Sequence, residues 1–167
     1  MILYLVRHAE PSISEYKGFP GPELGDSGKR QALKIADYLK DKPVNRILTS
    51  DYTRVLQTVT PYRELTKHPV EKLKILRERE KQSETHEELV KRIYMWFNLF
   101  LQKEDKNTAI FSHCGPINMI LFYLDNNLKI MNYPYVCEYQ CFTPKGGVWE
   151  LYIENQELIK GELKIRG

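Results

Sequence analysis

Short apolar segments alternate four times with helical patterns along this chain of 167 residues. The segments ILYLV, RILTS, KLKIL and TAIFS predict buried strands, because short apolar runs bounded by turn residues are typical of strands. Each is followed by a segment that predicts a helix. This alternation indicates an α/β fold whose mostly parallel sheet carries helices on both faces, a three-layer α/β/α sandwich.

Local signals set the expected ends of these elements. Asp26 or Ser27 is predicted to cap the first helix, and the second helix, which begins in DYTRVLQTV, is predicted to end near Pro61. Thr85 and Glu88 form a capping box for the third helix. The late segments YVCEYQCFT and GVWELYIE flank PKGG and predict a C-terminal antiparallel hairpin.

The length predicts one domain spanning residues 1–167, and the composition is typical of a globular protein. The net charge is +3 and the chain lacks a clustered Lys/Arg stripe, so we expect no nucleic-acid partner. No apolar run approaches the roughly 18 residues that a membrane helix needs, and the N-terminus does not fit a signal peptide. Cys114, Cys137 and Cys141 match neither a zinc ribbon nor a disulfide framework, which predicts reduced thiols and a cytoplasmic location.

Charged and imidazole side chains occur just after each predicted strand. In chain order they are Arg7 with His8, Ser50 with Arg54, Arg77 with Glu78, and Ser112 with His113. Parallel sheets bind ligands beyond the carboxyl ends of their strands. Each residue alone is typical of an ordinary surface or core position, but their joint placement at one edge favours an anion-binding site.

These residue types suit phosphoryl transfer. A neutral histidine can attack phosphorus, and arginines offer planar forks for the non-bridging oxygens. The segment SHCGP leads into a helix whose first N–H groups favour an anion. A carboxyl group such as that of Glu78 can protonate a leaving alkoxide.

Several segments resemble the histidine phosphatase superfamily, the phosphoglycerate mutase-like enzymes of branch 1. LVRHAEP is similar to the Arg-His-Gly signature, LGDSGKRQALKIADYL to LTxxGxxQAxxLAxxL, and ILTSDYTRVLQT to SxLxRAxQT. LRER resembles the LxE that carries the acid, SETHEELVKR resembles GES…R, and FSHCGPI resembles SHGGxI. The matches keep the family's order over roughly residues 1 to 124, and they imply the phosphoglycerate mutase-like fold.

The resemblance implies a role for each matched residue. His8 would be the nucleophile that becomes phosphohistidine, and Arg7, Arg54 and His113 would hold the phosphate. It implies no metal and no cofactor, because the arginines and His113 would supply the positive charge. Glu78 would be the proton donor.

Three carboxyl groups lie near the implied acid position. Glu80 is the nearest rival of Glu78 for the role of proton donor, and the sequence leaves the choice between them open. Glu84 belongs to the helix-start motif rather than to the chemistry.

The chain departs from the family pattern at four positions in these segments. Ala9 replaces the usual glycine, and Asn118 replaces a frequent arginine. Ser14 stands where many members have asparagine and is expected to be a shorter phosphate ligand. Cys114 stands at a common glycine position within the expected phosphate-binding segment, and we expect a small packed thiol there rather than a redox group.

The most informative departure is a deletion. Only five residues separate Glu78 from Glu84, where mutases carry a long segment with basic residues that clamp the phosphoglycerate. The resemblance therefore implies a phosphomonoesterase, with a small phosphorylated metabolite as substrate. The alternatives are a mutase, a phosphatase of phosphohistidine or phosphotyrosine proteins, and a catalytically silent phosphate-binding module. The oligomeric state is open, a homodimer being one option.

Overall fold

A computed structural model of the protein describes residues 1–13, 18–80, 82–127, 129–131, 133 and 141–167. Its strands and helices, in chain order, are β1 (Ile2–Arg7), α1 (Asp26–Leu39), β2 (Arg46–Thr49), α2 (Thr53–Thr66), β3 (Val70–Lys72), α3 (His86–Lys103), β4 (Thr108–Ser112), α4 (Cys114–Leu124), β5 (Gly147–Glu154) and β6 (Glu157–Arg166).

The strands form one six-stranded sheet in the order β3-β2-β4-β1-β5-β6. The pairs β3–β2, β2–β4 and β4–β1 are parallel, and β5 runs antiparallel to both β1 and β6. In register, Arg7 lies beside Ser112 and Thr49 beside Phe111. The carboxyl ends of β1, β2 and β4 therefore meet at one edge, which confirms the predicted mostly parallel sheet with a C-terminal hairpin.

Alternate side chains of β1 divide the core into two layers. Leu3 and Leu5 pack in a cluster with residues of α3 and α4, whereas Tyr4 and Val6 pack in a cluster with residues of α1 and α2. This alternation is the ordinary consequence of the two-residue period of a strand. It places helices on both faces, as the predicted three-layer architecture requires.

Two predicted helix limits are wrong. The first helix begins after Gly25, and neither Asp26 nor Ser27 caps it. The second continues through Pro61 to Thr66. Val55 and Val59 before the proline and Tyr62 after it are all buried, so packing against the sheet sustains the helix across the proline. The capping box of Thr85 and Glu88 is confirmed.

Two strand predictions also need correction. KLKIL is not the third strand: β3 covers only Val70–Lys72, and Lys74–Leu76 forms a short 3₁₀ helix. The hairpin pairs β5 with the later strand β6, through a two-residue turn at Asn155 and Gln156, both of which have positive φ. Of the segment predicted to precede the turn, residues 135–140 lie outside the described residues and residues 141–143 are not in a strand.

Cys114 and Cys141 form a disulfide, so the expectation of reduced thiols is wrong for this pair. The bond joins the first residue of α4 to the segment that precedes β5. Cys137 lies outside the described residues. In the part of the chain that the structure describes, none of the helices has the length and apolar character needed to cross a membrane.

Candidate functional site

Arg7 and His8 lie at the carboxyl end of β1, and each is only 6% exposed. The backbone around them is fixed by contacts from three directions. His8 N–H donates to Ser112 O at 2.9 Å, Gly146 N–H donates to His8 O at 3.0 Å, and Ala9 N–H donates to Thr58 Oγ1 at 3.0 Å. These bonds hold the His8 side chain at the edge of the sheet.

The hydrogen bond of its Nδ1 defines the tautomer of His8. Nδ1 lies 2.8 Å from Ala9 O. A carbonyl oxygen can only accept, so Nδ1 carries the hydrogen and Nε2 of the neutral ring carries a lone pair. Burial, and then the charges of Arg54 and Arg7, hold the pKa of His8 well below its ordinary value. His8 is therefore neutral at physiological pH.

His113 lies beside His8, with 5.3 Å between the ring centroids, and is fully buried. Arg54 Nη2 donates to its Nδ1 at 3.0 Å, because a guanidinium has no acceptor. Nε2 of the neutral ring therefore carries the hydrogen and donates to Ser50 Oγ at 2.9 Å. The two hydrogen bonds thus define the tautomer of His113, whose Nδ1 accepts from Arg54 and whose Nε2–H donates to Ser50.

The charge at this edge comes from the arginines. Burial, and then the positive charges of Arg54 and Arg7, hold the pKa of His113 well below its ordinary value. The role expected of His113 in holding phosphate stays a prediction, but its neutral ring adds no charge of its own. Arg7 and Arg54 supply the positive charge.

Both arginines are anchored by neighbouring groups. Arg7 Nη1 donates to Thr143 O at 2.7 Å, and Thr143 Oγ1 accepts from Trp149 Nε1 at 2.8 Å. The Arg54 guanidinium lies over the ring of Tyr52, 4.7 Å from its centroid. Gly21, with φ of 79°, makes room for Arg54, since a Cβ there would lie 2.5 Å from Arg54 Nη1.

Glu78 lies at the N-terminus of α4, the helix that follows His113. Gly115 N–H is 3.2 Å from Glu78 Oε1 and 3.3 Å from Oε2, and Arg79 N–H donates to Oε1 at 3.1 Å. A Cβ at Gly115 would lie only 2.4 Å from Glu78 Oε1. A side chain larger than hydrogen at position 115 would therefore displace the Glu78 carboxylate.

The segment that carries Glu78 is fastened to α3 and β4. Arg92 donates to the carbonyl oxygens of Ile75 and Arg77, and Ser112 Oγ donates to Leu76 O at 2.7 Å. These bonds fix the chain up to the residue before Glu78.

The other candidate carboxyl groups have different partners. Glu80 Oε1 accepts from Tyr52 O–H at 2.6 Å. Glu84 accepts two hydrogen bonds from Arg92, at 2.6 and 2.7 Å, so it joins the helix start to the preceding segment. Arg77 donates both Nε and Nη2 to Asp51, at 2.7 Å each, and lowers the pKa of that carboxyl group.

The structure thus brings Arg7, His8, Arg54, Glu78 and His113 to one edge of the sheet. Cys114 follows His113 directly, but its sulfur forms the disulfide with Cys141. Cys114 therefore has no free thiol group to contact a phosphate. Ser14 lies outside the described residues.

The sequence interpretation did not identify three contacts of the site: Ser50 with His113, Thr58 with Ala9 N–H, and Thr143 with Arg7. Ser50 itself was noted at a strand end, but its contact with His113 was not predicted. Thr143 is 136 residues from Arg7, and no local pattern indicates their contact. Among the described residues, there is no cluster of three or more His, Cys, Asp and Glu side chains that could hold a metal ion.

A mostly parallel sheet with paired histidines and arginines at its carboxyl edge defines a phosphoglycerate mutase-like α/β protein. Residues 3–82 match the family model of the histidine phosphatase superfamily (branch 1), which confirms the resemblance inferred from the sequence. A search of curated protein sequences found no significant match.

Solved structures show the same fold across the whole chain. A putative alpha-ribazole-5′-P phosphatase from Escherichia coli superposes with a TM-score of 0.79 at 17% identity, covering 100% of this chain and 98% of the other. A mycobacterial glucosyl-3-phosphoglycerate phosphatase gives a TM-score of 0.73 at 16% identity, covering 98% and 97%. Phosphoserine phosphatase from Entamoeba histolytica, in complex with 3-phosphoglyceric acid, gives 0.71 at 18%, covering 98% and 95%.

Proposed function

We propose that this protein is a metal-independent phosphatase that hydrolyses phosphate monoesters through a phosphohistidine on His8. One observation carries the proposal. The bond from His8 Nδ1–H to Ala9 O leaves the Nε2 lone pair available beside two arginines and His113. A neutral, oriented imidazole is the form that can attack phosphorus.

In the first step His8 Nε2 forms a bond to phosphorus while the ester P–O bond breaks, and the leaving oxygen takes the proton of Glu78. In the second step a water oxygen attacks phosphorus and the N–P bond breaks. Glu78 takes the proton of that water, and inorganic phosphate leaves. The charges of Arg7 and Arg54 favour the dianionic phosphoryl group in both steps.

Glu78 suits the proton transfer better than its rival. It lies at the start of the helix that follows His113, through its contacts with Gly115 N–H. Glu80 Oε1 instead accepts the hydrogen bond of Tyr52.

Hydrolysis is favoured over mutase transfer by the short connection between Glu78 and Glu84. Only five residues separate them, and Glu84 is bound by Arg92, so this connection offers little chain to enclose an intermediate. Similar structures are named as phosphatases, and one of them is complexed with phosphoserine. We therefore infer a small phosphorylated metabolite as substrate, bound by a single domain of residues 1–167.

The test is phosphate release from p-nitrophenyl phosphate by the purified protein and by His8→Ala. We expect the variant to lose at least about 10³-fold in kcat, and the native protein to carry acid-labile phosphate during turnover. His86→Ala, which removes an exposed histidine, is the matched control and should retain full activity. Normal activity of His8→Ala would overturn the mechanism, and isomerised 3-phosphoglycerate without free phosphate would favour the mutase.

A further inference from the structure

Tyr52 occupies a position where the SxLxRAxQT segment of the superfamily has leucine. It lies between β2 and α2 and is fully buried. Tyrosine adds a hydroxyl group and an aromatic face that leucine lacks. Both additions contact residues of the candidate site.

The ring of Tyr52 packs against two of the anion-binding residues. Its centroid is 5.0 Å from that of His113, with the rings at 80°, and the Arg54 guanidinium carbon lies 4.7 Å from the Tyr52 centroid. Arg54 also donates to His113 Nδ1. Tyr52, Arg54 and His113 therefore contact one another pairwise, and the position of each depends on the other two.

The hydroxyl group of Tyr52 reaches the segment that carries the proposed acid. It donates to Glu80 Oε1 at 2.6 Å. On the other side of Glu78, Arg92 binds the carbonyl oxygen of Arg77. Arg77, the residue before Glu78, and Glu80, two residues after it, are thus both held by hydrogen bonds.

We propose that Tyr52 is a positioning residue with two separable actions, a proposal that rests on the proposed function. Its ring holds Arg54 and His113 in place for phosphate. Its hydroxyl group, through Glu80, holds Glu78 in place for proton transfer to the leaving group.

The two actions can be told apart by comparing substrates that have different leaving groups. An alkoxide leaves only with a proton, whereas p-nitrophenolate leaves readily without one, so a misplaced acid slows alkyl esters more. Loss of the hydroxyl group should therefore change the ratio of alkyl to aryl phosphate hydrolysis. A loss of general stability would lower both rates in parallel and leave the ratio unchanged.

The first experiment measures kcat for glycerol phosphate and for p-nitrophenyl phosphate with Tyr52→Phe. The ratio of the two should fall about tenfold, part of the 10²–10⁴-fold that general acid catalysis supplies. Tyr123→Phe is the matched control, since it removes a phenol hydrogen bond to Asn98 away from the site. It should keep the native ratio, and an unchanged ratio in Tyr52→Phe would overturn the action on Glu78.

Glu80→Ala and the double variant test the connection through Glu80, because alanine removes the acceptor of the Tyr52 hydroxyl group. If Tyr52 acts through Glu80, Glu80→Ala lowers the ratio to a similar extent and the double variant is no worse than either single variant. A much larger loss in Glu80→Ala than in Tyr52→Phe would identify Glu80 as the acid itself and overturn the proposal.

The second experiment does not require turnover. Binding of inorganic phosphate, measured by calorimetry, should weaken about tenfold in Tyr52→Leu and less than twofold in Tyr52→Phe, because only leucine removes the aromatic contact with Arg54. Equal affinity in all three proteins would overturn the action on Arg54. If the native protein binds phosphate but hydrolyses neither ester, the proposed function fails while this action is still decided by the binding data.

Discussion

Replacing Gly115 by alanine should impair catalysis while leaving the fold intact. The new Cβ would lie 2.4 Å from Glu78 Oε1, and ordinary contact begins at 3.4 Å, so the carboxylate must move by about 1 Å. A misplacement of about 1 Å can cost about 10²-fold in rate. We therefore expect kcat for glycerol phosphate to fall about 10²-fold and that for p-nitrophenyl phosphate much less.

The stability of the Gly115→Ala variant should change little. Alanine is favoured over glycine within a helix by about 1 kcal/mol, but the new Cβ would also lie 3.1 Å from Leu89 Cδ2, which offsets part of the gain. Urea unfolding should give a free energy within about 1 kcal/mol of the native protein. Gly18→Ala, whose Cβ would meet nothing within 4 Å, is the control. Native kcat for the alkyl ester in Gly115→Ala would refute the assignment of the acid to Glu78.

Three further outcomes concern stability. Burial and the nearby arginines keep His8 and His113 neutral in the folded protein. Below about pH 6.5 these two histidines therefore take up protons in the unfolded chain but not in the folded one. The free energy of unfolding should thus be fully retained above that pH and fall by about 1.4 kcal/mol per pH unit per histidine below it. His8→Gln should halve the slope, and an unchanged slope would contradict the neutral assignment. Glu150→Ala removes a buried carboxylate that accepts from two tyrosines and pairs with Lys42, so it should cost about 3 kcal/mol in urea unfolding at unchanged kcat. Reduction of the Cys114–Cys141 bond, which spans 27 residues, should cost about 3.5 kcal/mol by loop entropy, and equal midpoints with and without dithiothreitol would exclude the bond in solution.

The sheet was predictable from sequence because its strands are short apolar runs next to turn residues. ILYLV, RILTS and TAIFS each became a strand. The third strand was placed too late because KLKIL has the same apolar character as an edge strand, although its backbone forms a 3₁₀ helix at Lys74–Leu76. Strand β6 was missed because its polar residues Glu157, Lys160 and Glu162 obscure the buried Leu158 and Leu163.

The grouping of His8, Arg54 and His113 was predictable because the carboxyl ends of parallel strands share an edge. Their hydrogen bonds were not, since the choice of tautomer depends on Ala9 O and Ser50 Oγ, whose positions follow from the folded backbone. The disulfide was missed for the same reason: Cys114 and Cys141 are 27 residues apart, and only the folded chain brings them together.

The residues of the candidate anion site come from segments that are far apart in the sequence. His8 N–H is bonded to Ser112, Arg7 to Thr143, and His113 to Ser50, so no stretch of contiguous sequence contains the site. Phosphate can therefore bind at this site only in molecules in which β1, β2 and β4 have all paired. Phosphate should accordingly slow amide hydrogen exchange across β1, β2 and β4 together, as a ligand of the global fold does.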